Sequence, residues 1–236
     1  MKLLAQLYQR VREKGIVGTV RIVLAHAQDL AFDLRYGTDT LRWRKLEQLD
    51  VVGANKSHGV FYQPTRARAL WKVLRDSGLT AEGTFLDIGC GKGRTLILAA
   101  EYGFKRVVGV EFSALLCGIA ESNLARYLRH SSRGTAFQVI NADAAEYPIP
   151  DDVSVIFMFN PFDAVVMARV MRSLAASLQR RPRDLHVIYS HPLHQAVLDG
   201  SGLFRGAVRH CFPQCDFLVY GTRMGGPGAH QGAPNV

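Results

Sequence analysis

The stretch that most limits what this chain can become is Phe85-Leu-Asp-Ile-Gly-Cys-Gly-Lys-Gly-Arg94. Gly89, Gly91 and Gly93 stand in a Gly-x-Gly-x-Gly spacing between a buried-strand pattern, Thr84 to Gly89, and a helical pattern, Lys92 to Tyr102. Glycines at such a junction let the backbone turn sharply and let a ligand approach the main chain. A phosphate-binding P-loop would need Lys followed by Ser or Thr, but Lys92 is followed by Gly93. Two carboxylates sharpen the reading. Asp87, just before the loop, would repel a pyrophosphate and suits a cationic amino-acid moiety. Glu111 ends the next strand, where a carboxylate can accept both hydroxyls of a ribose. Such a carboxylate supports little packing, so its removal is expected to spare folding.

From Thr84 onward, short apolar runs alternate with helical patterns. Arg106–Glu111, Phe137–Ile140, Val153–Phe159 and Leu185–Tyr189 read as strands. Ser113 can cap a helix running to about Arg129, and Asp163 another whose Val166, Met167, Val170, Met171, Leu174 and Leu178 form one stripe. A short helix is expected from Leu193 to Leu198. Arg205 to Phe212 and Asp216 to Gly221 then read as two strands separated by Pro213, Gln214 and Cys215. That gap suits a hairpin and cannot hold a parallel crossover. The expected architecture is therefore α/β, a mostly parallel sheet of strand–helix units closed by one antiparallel hairpin.

Residues 81–224 would form this domain, residues 225–236 a loose glycine-rich tail, and residues 1–80 a helical cap. In the cap, Leu3, Leu4, Leu7 and Val11 give one amphipathic face, and Ile16 to Leu34 a second apolar-rich stretch broken at Gly18. Thr65 is expected to cap a helix that stops at Gly78. Charge is uneven: residues 1–80 hold 14 Lys and Arg against 7 Asp and Glu, and the remainder 15 against 13. A basic prefix can meet nucleic acid, an acidic protein or a membrane surface, or can be a solvated face. No run is long and apolar enough to span a bilayer, and Met1 to Gly15 lacks the features of a signal peptide, so a cytoplasmic protein is expected. Cys211 and Cys215, near His210, have no second ligand pair at zinc-finger spacing, and no metal site is expected.

Taken in order, these segments resemble the class I methyltransferases that use S-adenosylmethionine. Asp87-Ile-Gly-Cys-Gly-Lys-Gly93 is similar to their first motif, Val108-Gly-Val-Glu111 to the strand end that holds the ribose, and Asn141-Ala-Asp143 to the pair that reaches the adenine. Asn160-Pro-Phe162 lies where the family places its substrate-facing motif. The wording, with Tyr36-Gly-Thr-Asp-Thr40 and Gly59-Val-Phe-Tyr-Gln-Pro-Thr65 upstream, resembles bacterial methyltransferases loosely related to the disruptor-of-silencing histone lysine methyltransferases. The resemblance implies a Rossmann-like sandwich with a seven-stranded, mostly parallel sheet. It implies S-adenosylmethionine held by Tyr62, Thr65, Asp87, Gly89, Gly91, Gly93, Glu111, Asp143 and Asn160, with Asn160 also at the reacting centre. It further implies that the upstream segment folds over the cofactor.

Amino-methylating enzymes often carry Asn or Asp, two prolines and an aromatic residue; here one proline stands between Asn160 and Phe162. That departs from the pattern of nucleic-acid amino methylation and leaves a lean toward nitrogen of a protein side chain or a small molecule. Tyr189, His191 and His194 lie near the expected strand ends, but none is assigned a catalytic role. Two other functions fit parts of the sequence. A nicotinamide-dependent oxidoreductase shares the glycine spacing and the acidic strand end. A non-catalytic module could keep the fold and bind nucleic acid through residues 1–80. Asp87 beside the loop, Asp143 and the final hairpin favour methyl transfer.

Overall fold

The computed structural model describes residues 2–45, 49–50, 58–59, 61–212 and 215–222. Helices α1 (Lys2–Tyr36) and α2 (Ala67–Asp76) precede an alternating series: β1 (Thr84–Ile88), α3 (Arg94–Tyr102), β2 (Arg106–Glu111), α4 (Ala114–Leu128), β3 (Ala136–Asn141), β4 (Val153–Phe159), α5 (Ala164–Arg180), β5 (His186–Ser190), α6 (Gln195–Asp199), β6 (Ala207–Phe212) and β7 (Cys215–Gly221). The seven strands form one sheet in the order β3-β2-β1-β4-β5-β7-β6. The first five in chain order pair parallel, whereas β7 pairs antiparallel to both β5 and β6. The order reverses between β1 and β4, the kind of switch point where open α/β sheets bind ligands.

Side chains alternate across the pleat, so each central strand feeds two cores. Phe85, Val107 and Val155 face the layer of α2, α3 and α4. Leu86, Val108 and Ile156 face the layer of α5. Burial on both faces explains why these strands read as continuous apolar runs. The capping expectations at Ser113 and Asp163 hold: Ser113 Oγ accepts from Leu116 N, and Asp163 accepts from Val165 N and Val166 N.

Several local readings are corrected. Helix α1 breaks at Gly15, with φ 69° and ψ 171°, and not at Gly18. Glycine tolerates that left-handed φ, while the Thr19 hydroxyl bonds back to Gly15 O at 2.8 Å and carries the helix through Gly18. Thr65 is not the cap of α2. Arg66 stands there with no side-chain capping bond, its guanidinium pairing with Asp29 at 2.6 Å, and Ala67 N donates instead to Asp29 Oδ1 of α1 at 3.3 Å. The short helix starts at Gln195, two residues later than expected, and Cys215 belongs to β7. Pro213, Gln214 and the tail from Gly225 lie outside the described residues, as do the side chains of Leu3, Leu4, Leu7 and Val11.

The first two helices join the main core. Phe32 and Tyr36 of α1 and Leu70, Val73 and Leu74 of α2 pack in the same cluster as Phe85 and Val107. Among the described residues, no helix is long and apolar enough to cross a membrane.

Candidate functional site

A cleft of about 880 Å³, its open mouth included, lies over the C-terminal ends of β1, β2 and β4. Gly89 and Gly91 form its floor, Glu111 and Asp143 one wall, and Asn160, Pro161 and Phe162 the other. Tyr62 and Thr65, from the segment before α2, also line it.

The glycine loop is shaped by its neighbours. Gly89, Gly91 and Gly93 all have positive φ. A Cβ on Gly91 would stand 2.3 Å from the Tyr62 ring, and one on Gly89 would stand 2.6 Å from Pro161. Gly93 does not line the cleft. A Cβ there would meet Ala120 of α4 at 3.2 Å, so this glycine serves close helix packing.

Glu111 is buried at the end of β2. Its Oε2 accepts from Gly91 N at 2.9 Å and its Oε1 from Ser113 N at 3.0 Å. Burial pushes its carboxyl up to about 7, against the backbone N–H donors of Ser113, Gly91 and Phe112 that pull it down. Each oxygen retains acceptor capacity for a further donor. Asp87 lies buried beneath the loop, its carboxyl pushed well up by burial first and by Glu111 second, while a hydrogen bond from Thr95 opposes the shift. Among the described residues its Oδ1 has no hydrogen-bond partner. Asp87 does not itself line the cleft; an orphaned buried carboxyl oxygen is costly, and a ligand ammonium reaching beneath the loop would satisfy it.

On the opposite wall, Asn160 adopts φ 37°, a strained value for a residue with a side chain. The Tyr189 hydroxyl donates to Asn160 Oδ1 at 3.0 Å and accepts from His194 N at 3.2 Å. Tyr189 therefore fixes the Asn160 amide from behind; Tyr189, His191 and His194 do not line the cleft. Across the mouth, His58 Nδ1 lies 2.5 Å from Asp163 Oδ2, and His58 O accepts from Asp163 N.

The sequence reading missed the residues that hold the upstream segment in place. Arg94, the first residue of α3, is 2% exposed. Its guanidinium donates to Asp29 Oδ1 at 2.8 Å, to Asp29 O at 3.2 Å and to Thr40 Oγ1 at 2.7 Å. Asp33 lies 3.6 Å away and itself accepts from the Thr38 and Thr40 hydroxyls. Tyr62 completes the strap, its hydroxyl donating to Thr40 O at 2.7 Å. The available signal was Asp29 and Asp33, two acids one turn apart in the apolar-rich stretch from Ile16 to Leu34. Acids so placed must find a buried cation. Among the described residues, no group of three or more His, Cys, Asp or Glu could hold a metal ion.

The sheet order, the terminal antiparallel strands and a cleft at the switch point define the Rossmann-like fold of class I methyltransferases. Residues 85–181 match the family model of a methyltransferase domain. Solved structures share the fold. One is a Methanococcus maripaludis protein described as an S-adenosylmethionine-dependent methyltransferase (TM-score 0.50, 18% identity, 65% of this chain and 83% of that one). Another is the ribosomal protein L11 methylase of Lactobacillus delbrueckii (0.51, 17%, 67% and 79%). A third is the magnesium protoporphyrin IX methyltransferase of Synechocystis, solved with bound S-adenosylmethionine (0.50, 16%, 67% and 78%). No curated protein matches the sequence.

Proposed function

We propose that this chain is an S-adenosylmethionine-dependent methyltransferase acting on nitrogen of a protein side chain or a small molecule. The observation that carries the cofactor reading is the orphaned Asp87 Oδ1 beneath a loop where Cβ atoms on Gly89 and Gly91 would not fit, with the Glu111 carboxylate one strand away. Glu111 would hold the ribose hydroxyls, Asp87 would meet the amino-acid end, and Asp143 would reach the adenine. Gly93 would act through packing. Tyr62 and Thr65 would close the cleft from above.

The bound cofactor supplies an electrophilic methyl group on a sulfonium. The protein's task is then alignment and exclusion of water. Asn160 Oδ1 has one lone pair engaged by Tyr189 and a second free to hold an N–H of an acceptor nitrogen. A neutral amine needs no general base. The resemblance to bacterial relatives of histone lysine methyltransferases supports an amino acceptor. The basic residues of 1–80 make nucleic acid the alternative partner, which a strongly salt-dependent shift of random duplex would favour. The proposed location is the cytoplasm. Titration calorimetry with S-adenosylmethionine and with a nicotinamide dinucleotide tests the reading. Heat from the first alone is expected; binding of the dinucleotide alone would overturn it.

A further inference from the structure

Helix α1 is apolar on two sides. Its inward side carries Phe32 and Tyr36 into the core and ties Asp29 to Arg94. On its outward side, Ile16, Val20, Val23, Leu24, Leu30 and Leu34 stand 49–74% exposed. At 3.6 residues per turn these positions fall on one stripe, about 27 Å long, and Ala27 and Ala31 fill its remaining places. The charged residues between Ile16 and Leu34, namely Arg21, Asp29 and Asp33, lie off that stripe. A helix apolar all round is normally covered on every side, and a contiguous exposed stripe marks an interaction surface.

Charge indicates what covers it. Beside the stripe runs a groove of about 890 Å³, open to solvent, in which Leu24 lies with Arg21, Arg66, Arg68 and Lys72. Its acid, Asp29, is already bonded by both Arg94 and Arg66. Residues 1–80 as a whole hold 14 Lys and Arg against 7 Asp and Glu. Pairing α1 with a second copy of itself would bring two such basic segments together, whereas an anionic lipid surface complements them. We propose that α1 is a peripheral membrane anchor, its outward stripe lying in the headgroup layer of an anionic bilayer with Arg21 and Arg68 against the lipid phosphates. This is the geometry of an interfacial amphipathic helix, and it does not depend on the methyl-transfer reading. Because Asp29 of α1 is bonded to Arg94, which lines the cofactor cleft, the anchor holds that cleft at a fixed distance from the bilayer.

The test is flotation of the full chain with phosphatidylcholine vesicles, with and without phosphatidylglycerol. It is repeated for the combined variant Val20→Asp, Leu24→Asp and Leu30→Asp, whose fold is checked by thermal melting. Flotation with the anionic vesicles is expected, with the variant's partition coefficient lower by about tenfold or more. Absence of binding to anionic vesicles, or equal binding by a folded variant, would overturn the proposal. So would a dimer in light scattering that the variant converts to monomer, since the stripe would then be an interface between copies.

Discussion

The backbone N–H of Gly91 donates to Glu111 Oε2 at 2.9 Å, so the glycine loop and the carboxylate at the end of β2 form one unit. A ligand held by Glu111 is therefore held by the loop as well, and neither can shift without the other.

Glu111→Ala should weaken S-adenosylmethionine binding by roughly 2–4 kcal/mol, the loss of two hydrogen bonds to a charged group. The sequence alone suggested that folding would be spared. The structure adds a cost, because the substitution also leaves the buried Gly91 and Ser113 N–H groups without their acceptor. Stability should fall by about 1–3 kcal/mol. Calorimetry and urea unfolding measure the two effects separately; unchanged cofactor affinity in a folded variant would remove Glu111 from the site.

Cofactor affinity should depend on pH. Burial lifts the Glu111 carboxyl to about 7. A carboxyl with a raised folded pKa binds its proton more tightly in the folded state. Its contribution to stability is then complete below the unfolded value of about 4.3 and lost as pH rises through the folded one. Ribose hydroxyls donate to the ionised form. The affinity for S-adenosylmethionine should therefore rise with pH up to about 7 and level off above it. Asp87, raised by the same burial, would contribute in the same direction. Glu111→Gln should flatten most of this dependence, and a flat profile in the unaltered protein would contradict the assignment.

Gly91→Ala combines a left-handed φ of 54° with a Cβ placed 2.3 Å from the Tyr62 ring. The strap must move or the loop must. The expected result is a loss of about 1–3 kcal/mol in stability and a cofactor affinity lower by tenfold or more. Tyr62→Ala in the same chain should restore part of the stability; no restoration would mean that backbone strain is the whole effect.

Arg94→Met removes the cation that Asp29 and Asp33 share. Breaking a buried ion pair from one side costs about 3–5 kcal/mol. Arg66 still pairs with Asp29, so the lower end is expected. For the same reason, deleting residues 1–50 should destabilise the domain as well as expose the cleft, because Arg94 would lose both acids. Urea unfolding measures this, and a change under about 1 kcal/mol would show that the strap is held by packing alone.

Asn160→Ala should slow methyl transfer at least about tenfold, the effect of losing one orienting group in the transition state. Tyr189→Phe, which frees the Asn160 amide to rotate, should slow it by a smaller factor while sparing cofactor affinity. The assay is transfer of labelled methyl to fractionated cell extract at saturating cofactor. A normal rate for Asn160→Ala would reduce Asn160 to a strand terminator and end the lean toward nitrogen.

What the sequence determined by itself was local. Continuous apolar runs such as Val153 to Phe159 identify strands buried on both faces, and Ser113 and Asp163 announce their helices through short-range capping bonds. The gap between Phe212 and Asp216 is too short for a crossover, so the terminal hairpin was legible as well. Glu111 and the glycine loop could be read because one strand–helix–strand unit, β1 to β2, brings them together across 20 positions. The tertiary structure decided what is distant along the chain. Asp29 reaches Arg94 across 65 positions, and Tyr189 reaches Asn160 across 29. It also decided that Gly93 faces Ala120 and not the cleft, and that Asp29 rather than Thr65 satisfies the start of α2. A buried acid on a helix requires a partner, but one-dimensional spacing does not select it. That choice depends on which face each helix turns toward the sheet, and the packing of both cores sets those faces together.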